Sequence, residues 1–141
     1  MKKLILTAIA LAFGALGFFV YETLHQTEGD GSVTIVVVDE NDNVTYSEIH
    51  RFTEEDTLFS ILQDTFDLSC ANNMYQPSDC SDTSFFGTVI LGIDDLDTDW
   101  TTDYIAIYIN DEYSGYGIDG IQLRDGDTYR FEYTLVEELT P

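Results

Sequence analysis

Residues 104–133 read YIAIYINDEYSGYGIDGIQLRDGDTYRFEY, and the strand patterns at the two ends of this stretch decide the fold. In YIAIYI every second residue is isoleucine, which is the period of a β-strand whose two faces differ. Aromatic and leucine side chains recur with the same period over residues 129–135. Residues 110–120 are rich in glycine, and Gly126 in the Asp-Gly-Asp turn can supply a positive φ. The stretch therefore predicts two strands joined by a turn-rich connection.

Three further strands are predicted upstream of this stretch. Residues 33–38, VTIVVV, are β-branched throughout, and residues 44–52 return after the polar cluster at 39–43, so this pair predicts a hairpin. Residues 88–93, TVILGI, predict a third strand, whereas residues 69–86 predict a long irregular loop. With one helix between hairpin and loop, this order is typical of a small α+β domain.

The helix is predicted from apolar residues spaced i, i+3, i+4 and i+8 on one face, namely Leu58, Ile61, Leu62 and Phe66. Thr53 or Asp56 is expected to cap the amides at its start. An acidic first turn is expected to interact favourably with the helix dipole.

The N-terminus carries an uncharged apolar run of seventeen residues, Leu4 to Val20, behind two lysines. As a helix this run spans roughly 26 Å, close to the ~30 Å of a bilayer core. We interpret residues 1–21 as a signal peptide or a signal-anchor transmembrane helix, residues 22–32 as a linker and residues 33–137 as the domain. The lysines place the N-terminus inside, so the domain is expected at the outer face of the cytoplasmic membrane, or secreted after cleavage.

The predicted outer part is strongly acidic. From Glu22 onward there are 27 acidic residues and three arginines, a net charge of −24. A field of that sign repels nucleic acid and anionic lipid, which argues against nucleic-acid binding. The same charge has two interpretations: it keeps the protein soluble, or it attracts divalent cations or a basic partner.

Cys70 and Cys80 are the two cysteines of the sequence. An even count in an oxidising compartment predicts one disulfide that closes a short loop. His25 and His50 are remote from both in sequence, which disfavours a metal site at this pair.

The segment from Asp56 to Tyr133 resembles the transcobalamin-like C-terminal domain family of vitamin B12 carriers and bacterial surface proteins. The resemblance rests on DTLFSIL, GTVILGIDD and the stretch quoted first, and covers roughly residues 33–136. It implies a β-grasp sheet packed on one helix, no catalysis, and the binding or presentation of a ligand such as cobalamin. In the vitamin carriers a larger helical domain holds the other face of the ligand, and these 141 residues contain no such domain. Trp100 matches the family pattern, whereas Asp111 stands where glycine is common.

Asp95, Asp97 and Asp99 alternate within one acidic loop, a spacing that lets carboxylates converge on Ca²⁺. An EF-hand loop starting at Asp95 needs glycine and glutamate where Trp100 and Ala106 stand. The alternatives are a looser calcium site and a solvated acidic loop.

Trp100, Tyr104, Tyr113 and Tyr116 form an aromatic-rich region around the strand that begins at 104. Rings in a glycine-containing loop offer amphipathic contact area at low entropic cost, so these four predict a ligand- or partner-binding surface. The alternative for Tyr104 is packing on the second face of the sheet.

The sequence shows no nucleophile near a histidine, and the protein is not expected to be an enzyme. The leading hypothesis is a membrane-tethered extracytoplasmic binding or presentation module that assists a surface receptor or transporter. Its expected partners are the membrane, through the N-terminal helix, and a protein at the cell surface. The alternative is a structural or adhesive surface domain, a subunit of an extracellular assembly joined through strand edges.

Overall fold

The computed structural model describes residues 29–81 and 87–136. The hairpin strands are β1 (Gly31–Val38) and β2 (Val44–Phe52), followed by helix α1 (Leu58–Thr65). Four short strands come next, β3 (Leu68–Ala71), β4 (Pro77–Ser78), β5 (Ile90–Ile93) and β6 (Leu96–Asp97). The remaining elements are β7 (Asp103–Ile109), β8 (Glu112–Tyr113), a 3₁₀ turn (Ile118–Gly120) and β9 (Thr128–Leu135).

A five-stranded mixed sheet in the order β2-β1-β9-β7-β8 forms the main layer. β1 pairs antiparallel with β2 and parallel with β9, and β9 pairs antiparallel with β7 over its whole length. The first and last strands of the domain are therefore neighbours inside the sheet. A β-rich domain with one helix confirms the α+β prediction.

The core lies between this sheet and α1. Alternate side chains of the two central strands are buried with the apolar face of the helix, namely Val33, Ile35, Val37, Tyr129, Phe131, Leu58, Ile61 and Leu62. The helical face predicted from spacing is thus confirmed for Leu58, Ile61 and Leu62, whereas Phe66 is buried but follows the helix as its C-cap residue with extended backbone. The hydroxyl of Tyr129 donates to the Gln122 carbonyl at 3.0 Å and accepts the Arg124 N–H at 3.2 Å, so this polar group has partners within the core.

Thr57 caps α1, so the prediction of Thr53 or Asp56 was wrong. The Thr57 hydroxyl accepts the Ser60 N–H at 3.0 Å, and the Ser60 hydroxyl accepts the Thr57 N–H at 2.9 Å. Asp56 instead accepts the Thr53 N–H at 2.8 Å and closes the preceding turn. The acidic residues at 54–56 come before the cap, so the predicted acidic first turn was wrong as well.

The irregular loop predicted over residues 69–86 is wrong in part, because it contains β4 and most of β3, two of the four strands of a second sheet in the order β4-β3-β5-β6. β3 pairs with β4 through Cys70 and Ala71, and with β5 on its other side. Two-residue strands such as β4 carry too little periodicity for sequence to reveal them. Residues 82–86 lie outside the described residues.

Within the described ranges we find no helix with the length and apolarity needed to cross a bilayer. The N-terminal hydrophobic helix predicted over residues 1–21, and most of the predicted linker, lie outside the described residues. β1 begins at Gly31, so the last two residues of the predicted linker belong to the first strand.

Candidate binding site

The four aromatic residues selected from sequence, Trp100, Tyr104, Tyr113 and Tyr116, line one pocket with a volume of about 220 Å³. Three segments build it together with Trp100 and Phe131: residues 104–107 of β7, residues 88–90 before and within β5, and residues 113–118 after the β7–β8 turn. The aromatic region is therefore one concave site, and the segments that form it are separate in sequence.

The pocket lies along one edge of β7. β8 pairs only with Tyr108 and Ile109, and the Ser114 N–H then donates to the Ile107 carbonyl at 2.8 Å. Beyond this bond the chain leaves the sheet through Gly115 and Gly117, so the first half of β7 borders the pocket on this side. Because β8 has only two residues and pairs only with the end of β7, the aromatic residues of the pocket lie beside the edge of the first half of β7.

Trp100 is held by a loop that Asp99 organises. The Asp99 carboxylate accepts the N–H groups of Thr101 and Thr102, both at 2.8 Å, and the Thr102 hydroxyl at 3.0 Å. The backbone N–H of Thr102, and then that of Thr101, hold the pKa of Asp99 well below its ordinary value. Trp100 itself has φ 67°, and its ring meets Tyr104 edge-on at 5.9 Å.

Asp103 secures the other end of the same loop. Its Oδ1 accepts the Asp99 N–H at 2.7 Å, and its Oδ2 accepts the Tyr133 hydroxyl at 2.7 Å. The hydrogen bond to Asp103 raises the pKa of Tyr133 to about 12. The loop that carries Trp100 is thus tied to β7 and β9.

Tyr113 is positioned by a two-residue turn between β7 and β8. Asn110 and Asp111 have φ of 51° and 69°, as a type I′ hairpin turn requires, which explains why glycine suits the position of Asp111. The Tyr113 ring meets the Tyr108 ring edge-on at 5.8 Å. The Arg130 guanidinium lies over the other ring of this pair, Tyr108, at 4.4 Å.

Tyr116 is placed by the loop after β8. The Ser114 hydroxyl donates to the Tyr116 carbonyl at 3.0 Å and accepts its N–H at 3.2 Å. Farther along, Oδ2 of Asp119 accepts the Thr88 N–H at 2.6 Å and joins this loop to the segment before β5. Tyr116 is 74% exposed and Tyr104 only 7%, so the site runs from an open rim to a buried ring.

The lining is apolar and uncharged among the described residues. It combines rings with aliphatic side chains, and its side-chain hydroxyls outside the rings are those of Thr88 and Ser114. Such a surface binds flat, apolar or weakly hydrated groups. Sequence reasoning missed the lining residues Thr88, Ile90 and Ile118, because pairing across separate segments leaves no local signal.

The structure does not bring Asp95, Asp97 and Asp99 together as a calcium site. Among residues 29–81 and 87–136, no three His, Cys, Asp or Glu side chains are grouped so that they can hold a metal ion. The Asp99 carboxylate is bonded within its own loop, and Asp97 lies against Gly92 of β5. The physical reason is the β5–β6 hairpin, in which Leu96 and Asp97 pair with Ile93 and Gly92.

Cys70 and Cys80 form the predicted disulfide, with their Cα atoms 4.8 Å apart. Cys70 is buried in β3, and the Ser78 hydroxyl donates to its carbonyl at 3.1 Å. The bond fastens the β3–β4 hairpin to the core.

These features define a small disulfide-bonded α+β domain with an aromatic pocket at a strand edge. The chain belongs to the family described as "Domain of unknown function (DUF4430)", whose model matches residues 55–134. We found no curated protein that matches the chain.

The fold is also similar to the crystal structure of a "putative metal binding protein" from Ruminococcus gnavus ATCC 29149. The TM-score is 0.52 at 15% sequence identity, and the alignment covers 74% of this chain and 97% of that chain. At this identity the likeness shows the fold alone.

Proposed function

We propose that the protein is a non-catalytic binding domain that acts outside the cytoplasm and takes its ligand in the aromatic pocket. The observation that carries the proposal is the convergence of Trp100, Tyr104, Tyr113 and Tyr116 on one pocket from three segments of the chain. Aromatic side chains are the usual anchors of binding sites, because they bury large areas with few rotatable bonds.

The finer fold assignment is a β-grasp domain of transcobalamin-like type. A parallel pair of first and last strands inside the sheet, with one helix packed on it, supports this assignment. The family match over residues 55–134 covers the whole segment that carries the resemblance, Asp56 to Tyr133.

The pocket is suited to one part of a ligand. Small-molecule sites usually have volumes of roughly 300–1,000 Å³, and this pocket has about 220 Å³. A corrinoid, the ligand that the resemblance suggests, therefore needs a second protein to hold its remainder. This is why we propose a presentation role beside a surface receptor or transporter.

The proposed location is the outer face of the cytoplasmic membrane, with residues 1–21 as the tether. The Cys70–Cys80 disulfide supports an oxidising compartment. The net charge of −24 after Glu22 and the two lysines before the apolar run support the same orientation.

A photocrosslinking experiment tests the binding site in the native membrane. The full-length chain is produced with p-benzoylphenylalanine at position 116, in the pocket, or at position 75 as the control. Tyr75 is also a surface tyrosine, 42% exposed, in the β3–β4 hairpin away from the pocket. We expect a discrete adduct from position 116 and none of that mass from position 75.

Equal adducts from both positions, or none from position 116, contradict the proposed site. Equilibrium dialysis of the full-length protein against cyanocobalamin, with and without the crosslinked partner, tests the corrinoid separately. Cyanocobalamin binding that needs the partner and is lost in Tyr116→Ala would identify a corrinoid as the ligand of the pocket.

A second candidate function is the structural or adhesive one. β2 is an edge strand of the five-stranded sheet, and it exposes Val44 to 61% and Ile49 to 73%. An exposed apolar edge is a template for pairing with another chain. This candidate is tested through Ile49 in the Discussion.

A further inference from the structure

Most of the charged residues next in sequence to the lining of the aromatic pocket are acidic, although the described lining itself carries no charge. The lining residue Phe131 lies between Arg130 and Glu132, which pair with each other, and the other charged sequence neighbours of the lining are four carboxylates, Asp99, Asp103, Glu112 and Asp119. Three of them are fixed by hydrogen bonds: Asp99 to Thr101 and Thr102, Asp103 to Tyr133, and Asp119 to Thr88. The residues that flank the pocket lining in sequence therefore carry mainly negative charge, whereas the lining itself is uncharged.

The basic groups of the domain do not offset this negative charge. Arg130 is already bonded to Asp111 and Glu132. Arg124 lines a different depression, between the start of β1 and residues 119–125, and Arg51 lies on the edge strand β2. An anionic ligand would thus enter against the local and the overall charge.

One ring of the adjoining aromatic pair already holds a cation. The Arg130 guanidinium lies 4.4 Å from the centre of the Tyr108 ring, and Tyr108 contacts Tyr113 of the pocket edge-on. The negative face of an aromatic ring attracts a weakly hydrated cation, more strongly where water is excluded. The same attraction is available to the rings that line the pocket.

The polar groups of the lining favour a cation without N–H donors. The Ser114 hydroxyl is engaged with the backbone of Tyr116, and apolar side chains make up much of the rest. An ammonium with N–H groups has to replace the hydrogen bonds to water that it loses in the pocket, whereas a quaternary ammonium has no N–H donor to satisfy. Inorganic divalent cations need several oxygen ligands, and the described residues do not group them.

We propose that the pocket formed by Trp100, Tyr104, Tyr113 and Tyr116 binds the quaternary ammonium group of a small organic cation. The inference rests on the proposed function, since it names the ligand class of the same site. The rings supply the cation–π attraction, the negative charge of the domain draws the cation in, and the size of the pocket limits the bound part to a compact alkylated head.

Matched probes test this on the full-length protein. Choline and tetramethylammonium are compared by calorimetric titration with 3,3-dimethylbutan-1-ol, which has the shape of choline without its charge. Trp100 is the single tryptophan of the chain, so its fluorescence reports binding at the site independently. We expect saturable binding of both cations, with a Kd for the neutral alcohol about tenfold higher than that for choline.

Variants then locate the binding. Tyr116→Ala removes a ring that is 74% exposed, so the fold is retained, and Tyr75→Ala is the control outside the pocket. Choline affinity should fall at least about fivefold in the first variant and stay unchanged in the second, with Tyr113→Ala as a further pocket variant. Circular dichroism checks that each variant is folded.

Equal affinity for choline and the alcohol, or no binding of either cation, overturns the inference. Choline binding that survives Tyr116→Ala and Tyr113→Ala overturns it too, because the site then lies elsewhere. The photocrosslinking result at position 116 separates these failures from failure of the proposed function. An adduct at 116 without cation binding leaves the binding domain standing with another ligand class.

Discussion

Oδ2 of Asp119 accepts the backbone N–H of Thr88 at 2.6 Å, across 31 positions of the chain. Thr88 and Ile118, the neighbour of Asp119, both line the aromatic pocket. This hydrogen bond therefore joins two of the three segments that build the site, and it links the glycine-rich loop after β8 to the second sheet.

Replacing Asp119 with alanine should loosen the pocket. The Thr88 N–H loses its acceptor, which costs about 1 kcal/mol of unfolding free energy, and the two segments are no longer held together. Asp119→Asn keeps an amide oxygen that can accept the bond and serves as the matched control. Urea unfolding and crosslinking yield at position 116 are the measurements, and equal yields from wild type and Asp119→Ala would contradict the role.

The capping residue of α1 gives a prediction on a point where the structure and the sequence pattern disagree. Thr57→Ala should lower the free energy of unfolding by about 1 kcal/mol, because the Ser60 N–H at the helix start loses its side-chain acceptor. Thr57→Ser retains the hydroxyl and should be close to wild type. Chemical denaturation followed by circular dichroism measures both, and an unchanged midpoint for Thr57→Ala would show that another group caps α1.

The Cys70–Cys80 bond closes a loop of ten residues. By chain entropy, such a loop contributes on the order of 2–3 kcal/mol to the free energy of unfolding. Dithiothreitol should therefore shift the urea midpoint of the wild type downward. The double variant Cys70→Ala and Cys80→Ala should be insensitive to the reductant, and a similar shift in both proteins would mean that the reductant acts elsewhere.

Long periodic segments made most of the main sheet predictable. β2 was predicted with its observed bounds, and β7 and β9 each begin one residue before the prediction, because two-residue alternation persists through all three. Within the second sheet, β5 lies inside the strand predicted over residues 88–93, whereas β3, β4 and β6 were missed because they have two to four residues and pair with segments elsewhere in the chain. Thr57 was passed over as the cap because three acidic residues precede it and obscure the boundary.

The site was predictable only in its aromatic part. Tyr113 and Tyr116 lie within a glycine-containing loop close in sequence to Trp100 and Tyr104, so local composition indicated a shared surface. The concave shape depends on Thr88, which reaches the rings through its bond to Asp119, and no local pattern encodes that contact. The calcium prediction relied on alternate spacing, but Asp97 lies in β6 and the Asp99 carboxylate is bonded within the following loop, so the three carboxylates do not form a metal-binding group.

The bond from Tyr133 to Asp103 predicts a loss of stability in strong alkali. The pKa of Tyr133 is raised from 10.0 to about 12 in the folded state, so folding favours the protonated phenol. Its contribution is fully present below pH 10 and is lost as the pH rises towards 12. Tyr133→Phe lacks this contribution, so the gap in urea midpoint between wild type and variant should shrink across that interval.

Tyr46 and Tyr129 also have a raised pKa, chiefly through burial, but both are present in wild type and variant. Their effects therefore cancel in the comparison. A gap that stays constant from pH 9 to pH 12 would show that the Tyr133 hydroxyl does not depend on Asp103 for its protonation.

The edge strand β2 decides between the binding and the structural candidate functions. Ile49 is 73% exposed on this strand, and β2 has a sheet neighbour on one side only within the described part of the chain. A lysine at such a position blocks edge pairing, because a second chain would have to bury its charge. Ile49→Lys should therefore abolish any concentration-dependent association of the full-length protein, measured by sedimentation velocity.

Gln63→Lys adds the same charge on the exposed side of α1 and should leave association unchanged. A wild type that stays monomeric over the whole concentration range contradicts the structural candidate, whereas association that Ile49→Lys does not weaken shows that the chains meet at another surface.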